Sequence, residues 1–576
     1  MNVELSRRKM LALGVALPFV GALSSAKASA EHSRPQLAVP TGASAFVSVP
    51  PARLADTRPE QGVGGFFRLD ANTIRVQIAG RGGVPINATA GVLNVTAVNT
   101  TTAGFITVFP AGTARPEASN INIETAGQII PNLVTVRLGT AAGAAGAVDI
   151  FTQNHCDLVV DVNGAYTLVA DVVAGGRFVG LETAFRVFDT RDSGSKVAQG
   201  GTARVNVSQV VPGSASAVVV NLTVTESNGA GFWTAYPAGG SFPQSSSVNT
   251  DGPNQTRANQ AILPIVGGFR SIDVFSSGGG HLVVDVAGYF TGPTAALSSD
   301  GLFVPNSPYR TLDTRVNPLY GRMYPGWIAE FDYSGRSLSQ AVVVNLTATE
   351  TRGAGFFTGY PARTNRPFAS NLNASYRNQT IANHAILRTS TKGVAVFTQS
   401  GASLIVDVAG YFTGQPVAAF LAAPINIVPP PPPPAALPYK LYMPRIGKVG
   451  TVIEGVGRNV VDAGYVGHWP GTGFAGEHSH MVLFAHRTDY GGILRNMHTF
   501  VPGDEVTIES ADGRVFRYGF ARRDITDASA ASIYNVGLPA ALPSISLVGC
   551  TKLNFLPTDI RYRLVVTFSL IAEDTA

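Results

Sequence analysis

Charge is scarce in this chain of 576 residues: Asp, Glu, Lys and Arg together make 14%, against about 25% in ordinary globular proteins. The surface must therefore be built largely from Ser, Thr, Asn and Gln. The formal charge is only +5, and no Lys/Arg block is dense enough to track phosphates, which excludes nucleic acid as a partner. Cysteine is nearly absent. Cys156 and Cys550 lie in distant segments, so a disulfide framework is excluded and each thiol is judged alone. Helical periodicity of useful length is missing, and beyond the amino terminus no run of about 18 uncharged apolar residues offers a membrane span. What is plentiful is turn-forming residue, with 63 Gly and 37 Pro, and the length implies about three to five domains.

The amino terminus reads as an export signal over residues 1–30. Ser6-Arg7-Arg8-Lys9 supplies a basic region, Met10 to Leu23 an apolar one, and Ala28-Ser29-Ala30 the small residues that signal peptidase accepts. The paired arginines point to the twin-arginine route, with an ordinary secretory signal as the alternative. The expected location is the cell wall or the extracellular space, or the membrane surface if the signal helix is retained. No cysteine follows the signal to carry a lipid.

The middle of the chain repeats itself. Arg53-Leu-Ala-Asp56-Thr57-Arg58 recurs as Arg186-Val-Phe-Asp189-Thr190-Arg191 and as Arg310-Thr-Leu-Asp313-Thr314-Arg315, at spacings of 133 and 124 residues. A second marker follows in each unit (Asn94-Val-Thr96, Asn221-Leu-Thr223, Asn345-Leu-Thr347), and an apolar final strand closes it around Asp161, Asp285 or Asp407. Such periods are domain-sized. Short β-rich runs broken by Gly, Pro and Asn predict three antiparallel β-sandwich-like domains over 39–170, 175–293 and 299–415. The Asp in each closing strand is costly to bury alone, and an arginine of the opening motif is its expected partner. One internal pair present three times reads as scaffold rather than catalyst. The units resemble secreted repeat domains of actinobacterial surface proteins and hydrolases, which implies location more than activity. Phe232-Trp233 with Tyr236, and Phe356-Phe357 with Tyr360, read either as core or as the lining of a glycan site, leaving wall-glycan contact through the repeats as an expectation. Asn94, Asn221 and Asn345 fit the glycosylation pattern or are simply buried.

Six consecutive prolines, Pro429–Pro434, mark a linker over 424–438. Beyond it, 439–576 is long enough for one further domain. Five of the nine histidines (His468, His478, His480, His486 and His498) fall there together with Cys550. Cys550 and His486 each end an apolar run, so a strand can hold thiol and imidazole at the rim of one cleft. Arg561 and Arg563, two apart on the last strand candidate, share a face and can donate to an oxyanion. The histidine spacing gives no convincing metal set, and no cofactor is implied.

This segment resembles the sortases, cysteine transpeptidases of Gram-positive cell surfaces. The resemblance rests on Met443-Pro-Arg-Ile-Gly, His468-Trp-Pro-Gly-Thr, Phe484-Ala-His486-Arg-Thr-Asp-Tyr-Gly-Gly, Pro502-Gly-Asp504-Glu-Val, Leu547-Val-Gly-Cys550-Thr and Arg563-Leu-Val-Val. It implies an eight-stranded β-barrel and a site of Cys550, His486 and Arg563, with Arg563 preferred to Arg561 because the apolar strand follows it directly. Asp489 is expected to orient the loop after His486, and His480 is the second candidate acid; His468 and His498 read as scaffold. The implied partners are the sorting-signal peptide of a surface protein, of Leu-Pro/Ala-x-Thr-Gly type, and an amine acceptor from a wall precursor or a protein lysine. One departure stands out: the family usually has Thr before the cysteine, and here that place is Gly549. Leu556-Pro557-Thr558-Asp559 lacks the Gly and the trailing apolar tail of a sorting signal. The competing class is a surface adhesin whose last domain is a relict.

Overall fold

The computed structural model describes residues 38–266, 269–427, 437–477, 479–529, 533, 543–551, 555 and 561–575, with side chains given up to 572. The expected export signal, the proline run, His478 and Leu556–Asp559 lie outside them. Among the described residues no helix is long and apolar enough to cross a membrane. The chain is mostly β, and it divides into two compact units between Val428 and Pro429.

In the first unit each of the three segments builds a sheet of four long antiparallel strands. Those of the first segment run in the order Ser44–Asp56, Asp157–Leu168, Ala88–Val98, Ile130–Arg137. The third segment has the same arrangement, in Phe303–Asp313, Ser403–Thr413, Ser339–Thr349 and Ile381–Arg388, and Ser44 pairs with Phe303 to join the two into one eight-stranded sheet. The second segment's strands, Phe178–Asp189, His281–Thr291, Ala215–Thr225 and Arg257–Pro264, form a separate sheet. A shorter four- or five-stranded sheet packs on each through residues such as Val95 with Ile106 and Val220 with Trp233.

The Arg–Asp pairing expected from the motif is present in every segment. Arg53, Arg186 and Arg310 stand opposite Asp161, Asp285 and Asp407 in the first and last strands, with Nε to Oδ1 distances of 2.9, 2.9 and 3.0 Å. Burial pushes these carboxyls up, and the facing guanidinium opposes that shift. Asp56, Asp189 and Asp313 each tie the two arginines of their motif together. Each segment has its own core, and a further buried cluster joins the three. Phe46 stacks on Phe290, Phe178 on Phe412, and Phe303 on Tyr166, at 4.1, 4.6 and 4.4 Å between ring centroids, so each segment gives one ring to the next around a shared interior. Asn94, Asn221 and Asn345 are buried and donate to the carbonyls of Ser246, Ser370 and Ser119 of the neighbouring segment. Three contacts of one kind that close a ring satisfy every copy.

At the centre, His384 meets Gln260 through Nδ1 and Thr135 through Nε2, one residue from each segment. Complete burial pushes its imidazole down to about 3. The unfolded ring protonates near 6.5, so stability is full above that pH and falls as pH drops through the window from about 6.5 to 3. Thermal melts of the full chain should show His384→Gln losing less stability than the wild type between pH 7 and pH 4; parallel losses would contradict this. Removing Asp285 leaves the half-buried Arg186 with Asp189 alone, at 3.3 Å. Asp285→Ala should cost about 3 kcal/mol, the low end for breaking a buried pair, whereas an alanine at the exposed Asp192 should be near neutral in the same denaturation assay.

The second unit is a closed barrel of eight strands: β1 (Tyr439–Met443), β2 (Lys448–Glu454), β3 (Val466–His468), β4 (His480–Phe484), β5 (Glu505–Glu509), β6 (Arg514–Asp527), β7 (Ser544–Thr551) and β8 (Tyr562–Thr575). They are ordered β1-β2-β3-β4-β7-β8-β6-β5, and β5 pairs back on β1 through Ile508 and Leu441. Closure removes the open edges that strands otherwise expose. The interior is filled by Leu441, Met481, Leu483, Ile545, Leu547, Phe516, Val566 and Phe568.

Candidate active site

Three adjacent strands carry the expected site. β4 and β7 are parallel, with Phe484 opposite Val548, and β7 and β8 are antiparallel, with Cys550 opposite Arg563. Leu483, Leu547, Leu564 and Val566 point into the barrel, while Val482, Val548 and Val565 form a separate cluster on its outside. Strand side chains alternate with a period of two, so Cys550 falls on the outer face with Val548, and Arg563 with Val565. Residues directly opposed in an antiparallel pair share a face with Cβ atoms about 4.5–5.5 Å apart. Past the end of β4, Ala485 still donates its N–H to the Val548 carbonyl at 3.3 Å and packs in the core. The next residue, His486, therefore lies on the outer side, level with Cys550. Thiol, imidazole and guanidinium come from three neighbouring strand ends.

His486 is held by a carboxylate that the sequence reading did not anticipate. Its Nε2 lies 2.8 Å from Oδ1 of Asp462, the residue that ends the short helix Arg458–Val461, and its ring packs at 5.1 Å on Tyr490. With Nε2–H donating to the carboxylate, a neutral ring keeps Nδ1 as its acceptor. Asp489 is exposed, and its backbone carbonyl accepts the Gly492 N–H. His480 begins β4, six residues from His486 and hence about 20 Å away along the strand. It is buried against the Ser544 hydroxyl at 2.7 Å, and burial pushes its pKa down to about 4. His468 is bound by Glu454 and the Gly473 carbonyl. Arg561 is exposed just before β8, and Arg563 donates from Nη1 to the Tyr562 carbonyl.

The residue after His486 alternates inward, and it accounts for Gly549. Arg487 is 1% exposed. Its Nη1 donates to the carbonyl of Cys550 at 3.0 Å, and its Nη2 lies within 3.1–3.2 Å of the Arg495 and Phe555 carbonyls and of His498 Nδ1. Arginine only donates, so Nδ1 of His498 is an acceptor; burial and the Arg487 charge both push the His498 pKa down. A Cβ at position 549 would meet Arg487 Cγ at 2.6 Å and Cδ at 2.8 Å. The glycine that replaces the family's usual threonine is thus the space through which the arginine stem passes. An Arg directly after the motif histidine, facing a Gly directly before the motif cysteine, is the pattern by which the pair could have been found in the sequence. At Cys156, burial first, and Asp157 second, push the thiol up to about 11, which disfavours the thiolate there.

Gly549→Thr should therefore destabilise the barrel by about 1–3 kcal/mol through overpacking, and Arg487→Ala in the same chain should recover part of that loss. Chemical denaturation of the two single variants and the double variant checks this; a threonine tolerated beside intact Arg487 would contradict the packing argument.

The sortase domain family model matches residues 441–571. Among solved structures the chain is similar to sortase E1 from Streptomyces coelicolor, solved with a tripeptide in its active site (25% identity over 24% of this chain and 88% of that one, TM-score 0.22). It is also similar to the SrtA sortase from Actinomyces oris (18% identity, 25% and 88%, TM-score 0.23) and to a Clostridium perfringens sortase D5 transpeptidase (23% identity, 23% and 79%, TM-score 0.20). No curated protein matches the chain. Residues 441–571 are a sortase domain, a member of a cysteine transpeptidase family, preceded in this chain by several antiparallel β-sheets.

Proposed function

We propose that this enzyme cleaves a Leu-Pro/Ala-x-Thr-Gly type sorting signal after the Thr and passes the acyl group to an amine, with Cys550, His486 and Arg563 as its catalytic residues. The observation that carries the reading is the cross-strand pairing of Cys550 with Arg563 beside the strand that delivers His486. The Cys550 thiolate attacks the Thr carbonyl carbon, and Arg563 donates to the oxyanion that forms. Collapse of the tetrahedral intermediate breaks the Thr–Gly C–N bond, and protonated His486 gives its proton to the departing amine. Asp462, hydrogen-bonded to Nε2, keeps the imidazole oriented. An incoming amine, from a wall precursor or a protein lysine, attacks the thioester; His486 takes the amine proton, an amide forms and the thiolate leaves. Water in place of the amine gives hydrolysis. An amino-terminal export signal fits this work, since sorting signals and wall amines lie outside the cytoplasm.

A quenched sorting peptide and the full-length chain test this reading. Cys550→Ala should abolish cleavage. Arg563→Lys should lower kcat by about 10²–10³, the range for losing one oxyanion donor, because an ammonium cannot reproduce the planar fork. Asp462→Asn should weaken activity, because the imidazole loses the carboxylate that orients it. Absence of cleavage across varied signals, with added diglycine as acceptor, would favour an adhesin carrying an inactive barrel.

A further inference from the structure

Two clefts in the first unit have the same walls. One, of about 410 Å³, lies where the first segment meets the second and is lined by Arg53, Arg58 and Thr96 on one side and by Phe232, Ser246 and Asn249 on the other. The other, of about 450 Å³, lies where the second meets the third, and its walls are Arg186, Arg191 and Thr223 against Phe356, Ser370 and Asn373. These residues correspond position for position through the opening motif, the Asn-x-Thr marker and the Gly-Phe strand. Both volumes fall in the range of small-molecule sites. Scaffold alone explains the Arg–Asp pairs. It does not explain the buried polar groups of the first cleft: Thr96 is 4% exposed, and among the described residues neither its Oγ1 nor Asn249 Oδ1 has a hydrogen-bond partner. Buried polar atoms are ordinarily satisfied, and the counterparts in the second cleft are, Thr223 Oγ1 accepting from Asn221 Nδ2 and Asn373 Oδ1 from Ser370 Oγ; the two atoms of the first cleft point to a group that comes from outside the chain.

The walls define that group. Asp56 and Asp161 balance Arg53 and Arg58, and Asp189 and Asp285 balance Arg186 and Arg191. These four guanidinium planes are therefore fixed N–H edges rather than free charge, and a phosphate gains little from them; the second cleft is also lined by Arg366, which lies over the Phe397 ring. Phe232 keeps 39% of its surface exposed while its neighbour Trp233 is buried in the core, so an aromatic face stands beside hydroxyl, amide and guanidinium edges. A partner with one apolar C–H face and many hydroxyls fits both surfaces. We propose that the segment junctions are oligosaccharide-binding sites, one per junction, that give the chain multivalent attachment to a glycan. The third junction brings Arg310, Arg315 and Thr347 of the last segment to the first, whose corresponding residues are Phe105, Ser119 and Asn122, and Asn345 already bonds there to the Ser119 carbonyl. This inference is independent of the peptidase reading. Several weak sites on one rigid unit gain avidity on a polymer without any new contact.

Titration calorimetry of the full chain with chitotetraose and with cellotetraose, and with inorganic phosphate as the charge control, tests it. At least one tetrasaccharide should bind saturably, with more than one site per chain and little change between 0.05 and 0.5 M salt, since no net charge is engaged. Thr96→Val should leave the melting temperature unchanged, because its hydroxyl has no partner to lose, and should weaken one class of site about tenfold. Phe356→Ala should weaken another. Lack of saturable binding to either sugar, binding that both variants leave untouched, or binding of phosphate alone would overturn the proposal.

Discussion

The side-by-side run of β4, β7 and β8 is the constraint on which the sortase domain depends. Alternation along β7 turns Gly549 into the barrel and Cys550 out of it, and the segment that leaves β4 does the reverse, with Arg487 inward and His486 outward. The two inward positions are complementary in size, glycine against a buried arginine stem, and the two outward positions are complementary in chemistry. A buried guanidinium held by carbonyls of Cys550, Arg495 and Phe555 ties the end of β7 to the loops around it. The position of the thiol is thus settled by what lies beneath it as much as by the strand that carries it.

A related economy holds the first unit together. Each segment lends an aromatic ring and an asparagine to the next, so the three close into a ring around His384, Gln260 and the interior phenylalanines. A chain with so few charges places many of them in paired sets, at the junction of the first and last strands of each segment. Those pairs also rigidify the rims of the junction clefts.

Much of this was legible in the sequence for identifiable reasons. Period-two alternation around Asp285, and the recurrence of Arg-x-x-Asp-Thr-Arg, were enough to pair first and last strands, since a buried Asp in an apolar strand needs a cation. The ends of apolar runs at His486 and Cys550 pointed to two strand ends, which lie on neighbouring strands, and an all-β barrel followed from the strand texture. Asp462 was not legible because it lies on a four-residue helix, with no periodic signature linking it to a histidine 24 positions later. Arg487 was not legible because a cation just past the end of an apolar run looks like an exposed strand end rather than a buried clamp. A repeat of 133 and 124 residues indicates that a domain-sized unit recurs, but it carries no trace of the shared interior, which is built from single residues such as Phe46, Phe178 and Phe303 far apart in the chain.

The central claim is that one thiol, placed by strand register beside an arginine and an oriented imidazole, carries the acyl group. Peptide mapping by tandem mass spectrometry of the full chain, quenched in acid during turnover of a sorting peptide, reads this directly. The account predicts an acyl thioester on the peptide containing Cys550 and none on that containing Cys156. An adduct on Cys156, or peptide cleavage that persists without a Cys550 thioester, would contradict it.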